Sequence, residues 1–419
     1  MQSHYDVVII GGGMVGASMA LALSVLPLSI AVVEAFPPQG QQQPSFDDRS
    51  VALSSGSVRI LQTMGCWDAL QPGCAAIEHI HISERGQAGL CRLHASDYDL
   101  KALGYVVENR FAGEVFYQRI ARQPQIELIS PAKLISIQQD AHQVTLGLET
   151  ADGHKKLSAH LMVAADGTQS NSAQLLDLVY QQTQYEPMAL ISNIATSVPH
   201  KNWAFERFTP FGPLALLPLT RNRMSLVWSI DAADKESLLS MSDKEVCAQL
   251  QQSFGYRLGK IQRIGQRHIY PLSLKQLQQG VVGRVVFVGN ALHTTHPVAG
   301  QGFNLGLRDV AALAEYIAKA HYQNLDIGAQ AHLQAYWQSR QPDIQQTLAA
   351  THSLAVGFSH RHPLAIALRN AALKGLDIFS PAKSLFAQQA MGLRHDLPLL
   401  ARGVPLERIQ QKTKGVAYG

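Results

Sequence analysis

"YDVVIIGGGMVGASMALALSVLPLSIAVVEA", residues 5–35, decides how the chain is built. Residues 7–33 carry no charged side chain. By length alone the run could cross a bilayer. Gly11-Gly12-Gly13 interrupts it after the short block Val7–Ile10, and Pro27 interrupts it again. No cationic segment precedes it, as a signal peptide would require. The expected reading is a buried strand, a tight turn, a helix and a second buried strand. Strands covered on both faces read as continuous apolar runs.

The turn holds Gly11-x-Gly13-x-x-Gly16, and Glu34 follows eighteen residues after Gly16, at the end of the second strand. Gly11 permits the tight turn, Gly13 lets the backbone approach a pyrophosphate, and Gly16 lets the helix pack close to the strand. The helix N-terminus offers unpaired N–H groups and a positive dipole end to phosphates. Glu34 is placed to accept hydrogen bonds from a ribose. This context makes a dinucleotide site the expected reading, but the spacing does not separate FAD from NAD.

Length and composition bound the rest. The chain has 419 residues, 46% hydrophobic and 16% charged. That length suggests two or three domains at about 100–200 residues each. The net charge is mild, 35 − 31 = +4. With no basic block, nucleic-acid binding has no compositional support. Cys66, Cys74, Cys91 and Cys247 form no C-x-x-C pair. Neither a disulfide framework nor a zinc site is expected, and a reducing, cytoplasmic compartment is.

Further along, residues 37–46 form a Pro/Gln-rich loop and a helix is expected over about Ser54 to Met64. Ile77 to Leu93 alternates like two strands around Arg85-Gly86. Residues 126–163 hold three strand-like pieces, the last two joined at Asp152-Gly153. Residues 185–230 are strand-rich. Ser242 to Phe254 reads as a helix with a Ser242/Glu245 capping box. "RVVFVGNA" (284–291) is a buried strand, and Phe303 to His321 is a helix with Leu307, Val310, Ala314 and Ile317 on one face. From about residue 330 the chain is mostly helical, ending in a polar tail.

Two more motifs carry chemistry. In "VAADGTQS" (163–170) a buried strand delivers Asp166-Gly167 to a loop. Alone, Asp-Gly is an ordinary turn pair. In "VFVGNALHTTHPVAGQGFNLGLRD" (286–309) a strand delivers Gly289-Asn290 to a loop stiffened by Pro297, and Gly300 and Gly302 flank a helix start. Alone, this is a Gly/Pro loop that caps a helix.

In this order, the three motifs resemble the fingerprint of the single-component FAD-dependent aromatic hydroxylases, the group A flavoprotein monooxygenases. Within that family, "FDDRSVALSSGS" (46–57), "VAADGT", "FERFTPFGPLALLPL" (205–219) and "VGNALHTTHPVAGQGFNLGLRD" are similar to the ubiquinone-biosynthesis hydroxylases. The resemblance spans most of the chain and favours FAD over NAD.

It implies an α/β fold: a FAD-binding Rossmann-like domain of the glutathione-reductase type, an inserted β-rich substrate domain and a helical C-terminus. The FAD domain would comprise residues 1–75, 105–182 and 268–345. The substrate domain would comprise 76–104 and 183–267, and the helical segment and tail 346–419. Gly11, Gly13 and Gly16 would hold the FAD pyrophosphate and Glu34 the adenosine ribose. Arg49 would supply a cation near the cofactor, with Arg110 a second; a salt bridge to Asp47 or Asp48 and a plain surface position are their respective alternatives. Asp166 and Gly167 would lie near the pyrophosphate and the nicotinamide path. Gly289 and Asn290 would meet the ribityl chain. Pro297, Gly300, Gly302 and Asn304 would pass beside the isoalloxazine, where the helix N-terminus offers positive potential.

Two positions depart from the family pattern. Asn290 stands where most members have Asp, keeping an acceptor without the charge. Ala173 stands where many have Arg, which puts the usual electrostatic role of the Asp-Gly element in doubt.

The implied activity is hydroxylation of a polyprenylated phenol, 2-polyprenyl-6-methoxyphenol, with NAD(P)H and O2 as co-substrates. The alternatives are another ring position, another small phenol, or a non-catalytic flavoprotein scaffold in a quinone-synthesis complex. "FGPLALLPL" suits an apolar pocket wall or a plain core strand. His296 could assist phenol deprotonation. His293 is assigned to loop architecture. His79 and His81 share a strand face without a third ligand, so no metal is expected. His360 and His362 read as solvated. Residues 362–393 read as a helix pair packed on the cofactor domain, with a subunit interface (a homo-oligomer or a multi-enzyme complex) or a peripheral contact with the inner membrane as alternatives.

Overall fold

The opening stretch forms the strand His4–Ile10, the helix Met14–Leu23 and the strand Ile30–Val33. In the computed structural model, which describes residues 2–37, 49–295, 300–359, 363–392 and 397–410, the two strands run parallel with Val7 beside Ile30 and Ile10 beside Val33. The helix is buried from Gly16 to Leu23 and packs between the helices Asn109–Ile120 and Gln301–Tyr322. An all-round apolar helix needs this burial.

Around this unit a mainly parallel sheet grows from three separated segments. Gly153–Ala164 lies parallel to His4–Ile10, and Val285–Phe287 lies parallel beyond it. Ile126–Ile129 closes the other side, next to Ile30–Val33. Residues 126–164 hold four strands, not the three expected pieces, because Ile126–Ile129 and Ala132–Gln139 are separate elements broken at Pro131. The turn at Asp152-Gly153 joins Val144–Thr150 to Gly153–Ala164.

The second large sheet is antiparallel except where Trp203–Thr209 meets His79–Glu84. Its order is His293–Thr294, His268–Leu277, Tyr180–Thr196, Arg223–Ile230, Gly212–Leu219, Trp203–Thr209, His79–Glu84 and Leu90–His94. The third cofactor segment was expected to begin at residue 268, but His268–Leu277 pairs with Tyr180–Thr196, from Ile191 beside His268 to Tyr180 beside Leu277. The second sheet therefore runs on to Leu277. One face of this sheet packs on the helix Asp243–Phe254, whose capping box is present, through Leu214, Leu216, Leu226, Trp228, Val246 and Leu250.

A small sheet of Ser50–Ser54, Gly104–Glu108 and Cys74–Ile77 joins the two large ones. Ser50 Oγ donates to Ser225 Oγ at 2.7 Å. Arg223 grips Glu108 with two parallel bonds of 2.9 and 2.7 Å. Fork-to-carboxylate pairing of this kind fixes orientation as well as distance.

The helices Pro363–Ile378 and Ser380–Ala390 correct a second expectation. They pack mainly on the second sheet rather than on the cofactor domain, in a cluster of Ile82, Cys91, Leu93, Phe208, Leu373, Ala387 and Met391. The reason is polar as well as apolar. The largely buried carboxylate of Glu84 takes Arg369 at 2.5 Å and Asn370 Nδ2 at 3.1 Å, while Asn370 Oδ1 accepts from the Gly89 N–H at 2.7 Å. No helix among the described residues is long and apolar enough to cross a membrane.

Candidate active site

The glycine turn is tied on both sides. Gly11 has φ +97° and its N–H donates to the Val33 carbonyl at 2.8 Å. A side chain on Gly16 would run into the carbonyl of Gly11. The Gly12 N–H donates to Glu34 Oε2 at 2.6 Å, its carbonyl accepts from Tyr117 Oη at 2.9 Å, and the Phe36 N–H donates to Glu34 Oε1 at 2.9 Å. Glu34 is therefore held at the strand end by two backbone bonds. The helix it faces, Met14–Leu23, has Gly13 as N-cap and no capping side chain. Its first N–H groups are left for a ligand.

A second uncapped helix, Gln301–Tyr322, starts after Gly300 at φ +59°. No acidic residue occupies its first turn, so the positive end of its dipole is uncompensated from within. Asn304 anchors this end. Its Oδ1 accepts from the Ser54 N–H at 2.9 Å and Ser57 Oγ at 2.7 Å, and its Nδ2 donates to the carbonyls of Ala52 and Gly300, both at 2.8 Å. The side chain is fully spent on the protein, so Asn304 can meet a cofactor only through its backbone. Gly302 differs. An added Cβ there would lie 3.5 Å from Thr295 Oγ1 and 3.9 Å from Asn290 Oδ1, in ordinary contact.

Gly289 has φ +58° and a Cβ would press on Val15, while Asn290 beside it is exposed. Behind them lies a buried ionic network. Asp309 Oδ2 accepts from the Gly289 N–H at 3.1 Å and meets His293 Nε2 at 2.7 Å, and Asp309 Oδ1 accepts from Arg340 Nε at 2.9 Å. Arg340 and Arg308 both reach Asp343, each at 2.8 Å. Burial would raise the Asp309 carboxyl, but His293 and Arg340 outweigh that and hold it below the usual carboxylate range. Asp343 is also held below that range, burial again being outweighed, by Arg308 and Arg340. His293 is thus a structural member of the loop.

Asp166 is likewise internal. Its Oδ1 accepts from Ser170 Oγ at 2.6 Å, and its Oδ2 from the N–H and Oγ of Ser172, both at 2.8 Å. With Ala173 in place of arginine, serines supply its partners. Gly167, at φ +83°, has open space where a Cβ would stand. The Arg49 guanidinium sits 5.5 Å from the centre of the Tyr270 ring, and the Arg49 carbonyl accepts from the Asn109 N–H at 2.8 Å. Arg110 is exposed on the first turn of the helix Asn109–Ile120.

These parts surround one cavity of about 810 Å³. Gly13, Arg49, Gly167, Asn290, Gly300, Gly302 and Asn304 line it at one end. Gly11, Gly16, Glu34, Asp166 and Gly289 stand behind that end and Arg110 lies off it, while His296, Pro297, His360 and His362 fall outside the described residues. At the other end the wall is apolar, with Ile80, Leu93, Leu217, Leu373, Ala387 and Met391. Ala215 and Leu217 of "FGPLALLPL" face the cavity and Leu214 and Leu216 face the core behind, so that strand is both wall and core.

Sequence reasoning missed Asn109 and Thr294. Both line the cavity, and among the described residues Asn109 Oδ1 and Thr294 Oγ1 have no hydrogen-bond partner in the protein. Buried polar atoms in that state call for a ligand or water. Together with two uncapped helix ends and glycines that leave room, they fit a large cofactor with phosphates and a polar ring edge, as FAD has. His79 Nδ1 lies 2.9 Å from His94 Nδ1, and among the described residues no group of three metal-ligating side chains occurs.

Residues 4–351 match the family described as FAD binding domain. The chain is 35% identical over 406 residues to the ubiquinone hydroxylase UbiL of Rhodospirillum rubrum, covering 96% of this chain and 93% of that one. It is 30% identical over 392 residues to the 3-demethoxyubiquinol 3-hydroxylase of Escherichia coli, covering 93% and 98%. Among solved structures, p-nitrophenol 4-monooxygenase PnpA from Pseudomonas putida superposes with a TM-score of 0.75 at 18% identity, covering 94% of this chain and all of that one. At that identity the likeness speaks for the fold.

Proposed function

The chain belongs to the FAD-binding-domain family and is a FAD-dependent monooxygenase, and from that premise we propose that it hydroxylates the ring of a polyprenylated phenol in ubiquinone biosynthesis, using NAD(P)H and O2. Bound FAD would supply the redox chemistry, passing electrons from the nicotinamide to O2 and an oxygen atom to the ring. The observation that carries the reading is the single cavity with a polar cofactor end and a long apolar end. An aromatic head beside the flavin and an isoprenoid tail along Leu93, Leu373 and Met391 would use both ends.

The chain's own groups have separate tasks in this reading. Gly11, Gly13, Gly16 and Glu34 hold the adenosine and pyrophosphate, with Arg49, Asp166 and Gly167 toward the middle of the cofactor, while Arg110, off the cavity, takes no part. Gly289 and Asn290 take the ribityl chain, and Gly300, Gly302 and the Asn304 backbone flank the ring. The N-terminus of Gln301–Tyr322 stabilises negative charge on the reduced ring. The apolar walls keep water from the reacting centre.

The ring position proposed is that of 2-polyprenyl-6-methoxyphenol. The name of the Escherichia coli relative favours a second reading, attack at another position of a demethoxy precursor. Both are tested together. Purified protein should carry a yellow flavin, oxidise NAD(P)H in the presence of a prenylated methoxyphenol and form its hydroxylated product. Deleting the gene and identifying the accumulated quinone precursor by mass spectrometry decides the position. Accumulation of a demethoxy precursor would replace the first reading with the second.

A further inference from the structure

The second sheet lays one cross-strand row along the cavity. Ile82 stands beside Glu206, Glu206 beside Ala215, Ala215 beside Val227, and Val227 beside Ile191. All five line the cavity, and only Glu206 among them is polar. Glu206 is half-buried at this wall. Among the described residues no protein group bonds its buried Oε1. A carboxyl oxygen left in that state in an apolar row is costly unless something meets it.

Charged groups on the surrounding elements are engaged elsewhere. Arg207, on the opposite strand face, donates to the Ser253 carbonyl at 3.1 Å. Glu84 holds Arg369, and Arg223 holds Glu108. On the roof helices Lys383 lies 3.4 Å from Asp377, and Lys374 is exposed. On the long helix behind, His352 meets Tyr185 at 2.8 Å, and Arg49 at the cofactor end stacks on Tyr270. Burial alone pushes the Glu206 carboxyl up to about 7.

Its place in the cavity is defined by two neighbours. Val227 and Ser225 are successive cavity-facing residues of one strand, and Ser225 bonds Ser50 of the small sheet beside the cofactor end. Glu206 lies two strands across from Val227 and one rung along, about 12 Å from that junction. In the other direction Phe208, two residues on, belongs to the apolar cluster of Leu373, Ala387 and Met391.

We propose that Glu206 anchors the substrate's head group, its Oε1 accepting the hydrogen bond of the phenol O–H while the tail runs over Phe208 and Leu373 beneath the C-terminal helices. The proposal rests on the hydroxylase reading above. A single acceptor in an apolar row suits an aromatic ring with one hydroxyl. It does not suit a carboxylate ligand, which would be repelled. Accepting this bond also leaves more electron density on the phenol oxygen, and so on the ring carbons to be oxidised.

The test uses the FAD-loaded full chain with 2-farnesyl-6-methoxyphenol and the methyl ether of that phenol, binding being read from the flavin absorbance. Wild type should bind the phenol about tenfold or more tighter than its ether, because the ether cannot donate. Glu206→Leu should bind both alike, with its melting temperature unchanged or raised. Glu206→Gln should keep part of the preference but lose the acid-side fall of kcat/KM near pH 7. A tenfold preference that survives in Glu206→Leu overturns the anchor and leaves the hydroxylase reading standing. Wild type that binds neither compound removes the prenyl-phenol reading, and the anchor with it.

Discussion

Asp309 Oδ2 lies 2.7 Å from His293 Nε2, and neither side chain reaches solvent. The same oxygen holds the N–H of Gly289, so the loop that carries Asn290 is pinned to the helix that follows it. Arg340 brings the compensating charge from the long helix Gln330–Ser359. Breaking one member of a buried ion cluster strands the others, typically at about 3–5 kcal/mol. Asp309→Ala should lower the melting temperature accordingly, measured by calorimetry on flavin-free protein. A drop no larger than that of an exposed acid such as Asp68→Ala would contradict the network's importance.

The pH dependence has two opposed limbs. Asp309 and Asp343 are held below their ordinary values, so their stabilisation is complete above about pH 4 and is lost as pH falls through the lower folded values. Asp343→Asn should flatten that acid limb. Glu206 works in the other direction. Its carboxyl is raised from 4.5 to about 7, so the unfolded chain ionises first and stability falls as pH rises through that interval. Glu206→Gln should remove this decline, measured as unfolding free energy against pH.

Glycines at two helix starts should respond differently. A Cβ on Gly16 meets the Gly11 carbonyl and Ala165, so Gly16→Ala should disrupt the turn and lose both stability and flavin. A Cβ on Gly302 meets only ordinary contacts, so Gly302→Ala should fold with unchanged or slightly raised stability, up to about 1 kcal/mol. It should still weaken flavin binding, by occupying space beside the ring. Full flavin occupancy in Gly302→Val would refute the close backbone approach.

Asn109 offers a cleaner separation of stability from binding. Its Oδ1 has no partner within the protein among the described residues, so deleting the amide should cost the flavin-free fold little. Asn109→Ala should nevertheless release FAD about tenfold more readily, as judged by flavin retention on dialysis. Equal retention would remove Asn109 from the cofactor site.

The roof should govern tail length. Ala387 is buried in the cluster beneath the C-terminal helices and lines the cavity. Ala387→Phe would fill that end at a cost of about 1–3 kcal/mol in stability. KM for a farnesylated phenol should rise about tenfold while that for the tail-less methoxyphenol stays unchanged, a split worth about 1.4 kcal/mol. Parallel changes in both would place the tail elsewhere.

The opening unit was legible because both strands are wholly apolar and the glycines between them have one economical use. The helix Asp243–Phe254 was legible because its cap is local. The pairing of His268–Leu277 with Tyr180–Thr196 is not legible around residue 268, because period-2 patterning states that a strand has two faces, not which neighbour it pairs with. The C-terminal helices were placed on the wrong partner for a similar reason. Glu84 and Arg369 meet across 285 residues, and neither position is unusual in its own neighbourhood. Arg308-Asp309 interrupts the apolar run Leu305 to Ala314, which marks buried charge, and Glu206 falls on the strand face of Ala204 and Phe208.

The roof over the cavity also has a place in time. Every strand of the floor and both cofactor-facing helix starts precede residue 302, whereas the helices that cover the apolar end begin at Pro363. Chains emerge from the ribosome N-terminus first, and exposed apolar surface at that stage invites aggregation. During synthesis this protein therefore holds an uncovered, greasy trough that already has its nucleotide-binding turns.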